Sequence, residues 1–210
     1  MQALIWKDSE KLMKRYGLPF ARTLPVRSAK DARQAVAKLG VPLVLKADLN
    51  TPVHKTRLGL VSFAYSKEEA AMAYKGIERK AGSIEAGSRV VAQQFAKGAE
   101  LIVGGKQDEV FGSIILAGIG GVHVESQKTV AIMLAPVNMR QATDMLKEIG
   151  LEAALQGANV RCKERIVAAI LVKASRLAAK EKAEFDFNPV IVGNNSAKIV
   201  DARIVVTKGR

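Results

Sequence analysis

The sequence predicts a mixed α/β (α+β) protein built as two lobes. Three observations point there. Helical and strand-like segments alternate through the first part of the chain. The last third carries a strand-turn-strand pattern beside one long amphipathic helix. The length, 210 residues, exceeds the roughly 100–150 residues of a common single domain. The reading divides the chain into an N-terminal lobe with a leading helix, residues 1–92, and a C-terminal lobe, residues 93–210.

In chain order, residues 1–16 have helical spacing that ends at Gly17. "LPFARTLPV" is extended, because two prolines break any helix. Ser28 and Asp31 resemble a capping box and open a helix with Ala32, Ala35, Val36 and Leu39 on one face, stopped by Gly40. Residues 43–47 read as a strand, 48–57 as a loop and "LGLVSFAY" as a second strand. Ser66 and Glu69 start another capped helix with Ala70, Ala73, Tyr74 and Ile77 in register. "SRVVAQQF" is a strand. "AELIVGGKQ" and "EVFGSIILA" read as a hairpin whose turn runs from Gly104-Gly105 to Asp108. Helices follow at 139–149 and 162–182, the second striped by Ile166, Ile170, Ala174 and Leu177. "EFDFNPVIV", a turn "GNNS" and "AKIVDARIVV" close the chain as another hairpin.

A hydrophobic content of 49% is enough for a substantial core, and the single Cys162 excludes an internal disulfide framework, favouring a reducing, cytoplasmic setting. No apolar run approaches the ~18 residues of a membrane span, so no membrane partner is expected. The net charge is +13, from 33 basic and 20 acidic residues, which attracts polyanions such as nucleotides or an acidic partner. The basic residues are scattered and aromatics make up only 5%, poor material for stacking bases, so a nucleic-acid partner is disfavoured.

Four places can carry chemistry. Lys46 lies inside the apolar run "VPLVLKA" before a loop. A point charge there can reach a phosphate; a snorkelling edge lysine is the commoner case. His54, in "PVHKT", precedes Lys55. A neighbouring cation favours the neutral, nucleophilic imidazole, which can accept a phosphoryl group. "GIGG", Gly118 to Gly121, permits close backbone approach to an anion and equally reads as an ordinary turn. If the last hairpin turns at Asn194-Asn195, Asn188 faces Asp201 and Asp186 faces Arg203. Opposed residues then sit about 4.5–5.5 Å apart at Cβ, so Asn188 and Asp201 can reach one hard cation such as magnesium. A polar, solvated sheet face with an Asp186–Arg203 ion pair fits the same residues, and a slip of one residue removes the pairing.

Taken in order, these segments resemble a known family. "KLMKRYGLPFARTLPVRSAKDARQAVAKLGVPLVLKA", "TPVHKTRLGLV", "VVAQQFAKGAELIVGGKQDEVFGSIILAGIGGVHVE" and "EFDFNPVIV…VDARIVV" resemble the ATP-grasp domain of the β subunit of ADP-forming (NDP-forming) acyl-CoA synthetases, acetyl-CoA synthetase among them. These are relatives of the succinyl-CoA synthetase β subunit. The second segment is similar to that family's "SPxxxHKSDxGGV" and the last to its "ELDINPV…VDARI". The resemblance implies an ATP-grasp fold, two α+β lobes with nucleotide bound between them, and interconversion of acid, CoA and ATP with acyl-CoA, ADP and phosphate through a phosphohistidine.

The resemblance also assigns roles. Lys46 would contact the ATP phosphates, Gln93 would lie beside adenine and Glu100 would help hold the nucleotide. Asn188 and Asp201 would hold Mg2+. His54 would receive or pass on phosphate. Gly118, Gly120, Gly121 and Glu125 would shape a loop, with Glu125 in a catalytic role. The cofactors implied are ATP/ADP and Mg2+. The partner implied is an α subunit carrying CoA-binding and ligase domains, in the α2β2 arrangement that the resemblance suggests. Departures fall at Arg57, Leu58, Thr129 and Met133, where the family carries an acid, a glycine, an acid and an arginine. They support an alternative: a diverged, non-catalytic ATP-grasp module that binds nucleotide or a partner.

Overall fold

A computed structural model describes residues 2–51, 53–121 and 130–206. The chain opens with β1 (Gln2–Ala3) and α1 (Trp6–Arg15). It continues through β2 (Thr23–Val26), α2 (Ala29–Leu39), β3 (Leu43–Asp48), β4 (Val61–Ala64), α3 (Lys67–Ile84) and β5 (Arg89–Gln94). The remainder is β6 (Ala99–Asp108), β7 (Gly112–Ile119), β8 (Val130–Leu134), α4 (Met139–Glu148), α5 (Leu151–Gly157), α6 (Glu164–Glu181), β9 (Glu184–Gly193), β10 (Ser196–Ile199) and β11 (Ala202–Val206). Two compact units result: Ala21–Phe95, and Met1–Phe20 together with Ala96–Arg210.

The smaller unit is an antiparallel sheet of order β2-β5-β3-β4 with α2 and α3 on one face. Strand alternation sends Leu43, Leu45 and Ala47 of β3, with Val90 and Ala92 of β5, against Ala32, Ala35, Ala70, Tyr74 and Ile77 of the helices. Both helices start where the sequence places them. Ser28 Oγ accepts from the Asp31 amide at 3.1 Å and Ser66 Oγ from the Glu69 amide at 3.1 Å. The two acids reach back one residue further than in a standard capping box, to the amides of Arg27 and Tyr65.

The larger unit has the sheet order β1-β11-β9-β6-β7-β8, with β10 paired to β9. Helices α4, α5 and α6 share one core with the sheet. The expected stripe on α6 holds: Ile170, Ala174 and Leu177 are buried and Ile166 packs against the core. Among the described residues no helix is long and apolar enough to cross a membrane.

Two expectations are corrected. The leading helix packs with the larger unit, not with the 21–95 segment. β1 pairs with β11, and Met13 and Leu18 enter the larger core. Arg15 reaches Glu181 at 2.6 Å and Lys173 Nζ donates to the Gly17 carbonyl at 2.8 Å. The units therefore divide after Phe20 and after Phe95, rather than once at residue 92. The second correction concerns Gly104-Gly105. These glycines lie inside β6, and the turn falls after Asp108, whose carboxylate accepts from the Val110 and Phe111 amides, each at 2.9 Å. A Cβ on Gly105 would run into the Phe185 ring, and one on Gly104 into Leu116. Here glycine marks close side-chain packing, not a bend.

Candidate functional site

In the smaller unit, the alternation that buries Leu45 and Ala47 turns Lys46 to the face away from α2 and α3. Lys46 is only 8% exposed and is the single charged side chain buried among the described residues. Its ammonium donates to Gln93 Oε1 at 3.1 Å. Gln93, 2% exposed, donates through Nε2 to Thr23 Oγ1 at 2.9 Å, and Thr23 donates to the Ala21 carbonyl at 2.8 Å. Register explains the chain: Thr23 is paired with Gln93 and Val44 with Gln93, while Lys46 is paired with Val91 two residues along, on the same face as Gln93. The structure thus brings two predicted residues together and adds Thr23, which carries no sequence signal beyond being a hydroxyl in a strand. Phe63, paired with Val44, and Phe95 meet edge to face at 5.9 Å and stay 51% and 37% exposed. They too were missed.

His54 is exposed on the loop between β3 and β4. The loop's return is tight: the Leu58 amide donates to the His54 carbonyl, Gly59 to Thr56 and Leu60 to Lys55, at 3.2, 3.1 and 2.8 Å. Leu60 is fully buried and anchors that end. Arg57 and Leu58, two of the departures, are exposed on this same turn.

In the larger unit, the last hairpin has the predicted register. Gly193 pairs with Ser196 across Asn194-Asn195, Phe187 with Ala202 and Asp186 with Arg203. Between those ladders the Asn188 amide donates to the Asp201 carbonyl at 3.2 Å. Phe185, Phe187, Ala202 and Ile204 go to the helix-covered face, leaving Asp186, Asn188, Asp201 and Arg203 on the other. The Asp186 acid is raised from its ordinary value, first by burial and then by the charge of Asp201, with Arg203 opposing. A shared negative charge of this kind favours a cation. Glu100 accepts the Gly120 amide on its backbone carbonyl at 2.8 Å, and its side chain lies beside Gly121, whose φ is +100°. Gly118 pairs with Ile102 and with Val130.

Glu125 lies outside the described residues, as do His123 and Thr129. Met133 packs against the helix-side core. Among the described residues no group of three or more His, Cys, Asp or Glu side chains could hold a metal. Magnesium needs only one or two protein oxygens, so Asn188 and Asp201 remain a fitting pair. A cavity of about 500 Å³ bounded by Gly17, Arg165, Lys173 and Ser196 contains none of the predicted site residues.

The ATP-grasp domain matches residues 2–206. The chain belongs to the ATP-grasp family. This ATP-grasp chain is 32% identical to the ADP-forming acetate–CoA ligase II of Archaeoglobus fulgidus, over 97% of its own length and 30% of that protein. It is 30% identical to the β subunit of ADP-forming acetate–CoA ligase I of Pyrococcus furiosus, over 97% of its own length and 91% of that subunit. Among solved structures it is similar to acetyl-coenzyme A synthetase 1 of Ca. Korarchaeum cryptofilum, in complex with coenzyme A and Mg-AMPPCP and with the phosphohistidine segment pointing towards the nucleotide-binding site. That match has a TM-score of 0.81 at 28% identity, covering 98% of this chain and 93% of the other. The ATP-grasp chain therefore spans about 30% of some relatives and nearly all of a separate β subunit. Relatives that are ligases do not favour the reading as a non-catalytic module.

Proposed function

We propose that this chain is the nucleotide-binding β subunit of an ADP-forming acyl-CoA synthetase, working in the cytoplasm with an α subunit that supplies the CoA-binding and ligase domains. The reaction is acid + CoA + ATP ⇌ acyl-CoA + ADP + phosphate. The observation that carries the reading is Lys46: a buried ammonium on a strand, bonded to Gln93 and placed where the family resemblance expects a phosphate contact. A point charge on a flexible stem at that position can reach a nucleotide phosphate. Gln93 sets the ammonium's direction, and Phe63 and Phe95 offer apolar surface to the base.

Asn188 and Asp201 would hold Mg2+, with Asp186 adding negative charge beside them. The donor set is hard oxygen, as that ion requires. When bound, the ion neutralises phosphate charge. Glu100, Gly118, Gly120 and Gly121 shape the adjoining backbone, and Glu125 acts on the loop that follows. His54 takes the phosphoryl group. A neutral ring nitrogen attacks the γ-phosphorus, an N–P bond forms, and the P–O bond to ADP breaks with its electron pair leaving on ADP. The proton on the other ring nitrogen passes to water. Such a transfer needs positioning and charge neutralisation more than covalent help.

The test is labelling with γ-phosphate-labelled ATP and magnesium, with the α subunit present. Acid-labile label should appear on His54 of the wild-type chain and disappear in His54→Ala and Lys46→Ala. Label that persists in His54→Ala would remove His54 from the pathway.

A further inference from the structure

Loop 49–60 leaves the sheet after Asp48 and returns at Leu60. Its first residues are gripped by a single side chain from the far end of α3. Glu85 Oε1 accepts from the Asn50 amide at 3.1 Å and from Asn50 Nδ2 at 2.8 Å. Glu85 Oε2 accepts from the Thr51 amide and from Thr51 Oγ1, each at 2.8 Å. Both oxygens are thus doubly used, on two consecutive residues. Glu85 is itself fixed: its amide donates to the Ala81 carbonyl at 2.9 Å and its carbonyl accepts from the Ser88 amide at 3.1 Å. Two residues before Asn50, Asp48 faces Arg89 in register, 3.5 Å away. The two ties flank the same α3–β5 turn.

The four bonds hold the Glu85 carboxyl down at about 2, chiefly through the Thr51 and Asn50 amides, so it is ionised at any working pH. What four bonds on one carboxylate accomplish is order: they remove freedom from a segment that has no strand or helix among its described residues. His54 is three residues beyond Thr51, between this grip and the buried Leu60.

We propose that Glu85 is a positioning residue for His54: by clamping Asn50 and Thr51 it fixes where the His54 imidazole stands when the phosphoryl group is transferred. The inference rests on the reading of His54 given above. Glu85 touches no reacting atom. It prepays the ordering of the loop, and a misplacement of the nucleophile by about 1 Å can cost about 100-fold in rate.

The experiment compares wild type, Glu85→Gln and Glu85→Ala, assembled with the α subunit, in two readouts: the rate of His54 labelling from γ-labelled ATP, and Mg-ATP affinity by calorimetry. Gln keeps the chain length and one acceptor oxygen, so it covers the case in which Ala fails to fold. The expected result is slower labelling, graded as wild type, then Gln, then Ala, with the Ala variant reduced roughly 10- to 100-fold, while Mg-ATP affinity changes less than about twofold. Labelling of both variants at the wild-type rate would overturn the proposal. So would an equal loss of nucleotide affinity, which marks a merely structural role. If wild type itself takes no label at His54, the reading of His54 fails and this inference falls with it. Wild-type labelling with indifferent Glu85 variants sinks the inference alone.

Discussion

Thr23, Gln93 and Lys46 form a polar chain in which each buried group depends on the next. Replacing Thr23 with Val leaves the Gln93 amide without its acceptor in a nearly closed environment. An unsatisfied buried donor costs about 1–3 kcal/mol. Thermal denaturation of Thr23→Val should show that loss, and a melting temperature equal to wild type would mean the chain is not coupled as described. Glu85 gives a second prediction at this scale. Its folded-state value, about 2, is depressed from 4.5. A depressed acid contributes stability that is complete above the unfolded value and lost as pH falls from about 4.5 towards 2. A carboxyl-carbon NMR titration should therefore find Glu85 still ionised at pH 3.5. Lys46 itself was legible in the sequence as a charge in an apolar run. Thr23 and Glu85 were not, because their roles arise from partners 70 and 34–35 residues away.

Two hairpins show what an element reveals before it folds. The β9–β10–β11 register was readable because a two-residue Asn-Asn turn sets the pairing on both sides, and that register brings Asn188 beside Asp201. The β6–β7 turn was misread because a glycine pair looks like a bend. The space it saves is taken by Phe185, on a strand far along the chain. Gly105→Ala should accordingly cost about 1–3 kcal/mol by overpacking, and Phe185→Leu should recover part of it. A double-mutant cycle by chemical denaturation checks this: neighbours in contact couple by about 0.5–3 kcal/mol, and strictly additive losses would contradict the packing account. The short α5 and β8 went unpredicted. Each is brief, and each is held by tertiary contacts more than by its own pattern.

At the scale of the whole molecule, two units with separate cores were expected, but the leading segment was placed with the wrong one. Nothing local in residues 1–20 says which core Met13 and Leu18 will enter; the β1–β11 pairing decides it at the opposite end of the chain. The candidate residues divide between the units as well, with Lys46, Gln93 and His54 in the smaller and Glu100, Gly118, Gly120, Gly121, Asn188 and Asp201 in the larger. The central proposal is that this chain binds Mg-ATP. The most direct measurement is a thermal-shift series on wild type, Lys46→Ala and Asp201→Ala, each alone, with ATP and with Mg-ATP. At 100 times its dissociation constant a ligand adds about 2.7 kcal/mol of stability. The account predicts a rise in melting temperature for wild type with Mg-ATP that both substitutions abolish. No rise in wild type at millimolar nucleotide, or an equal rise in both variants, would contradict it.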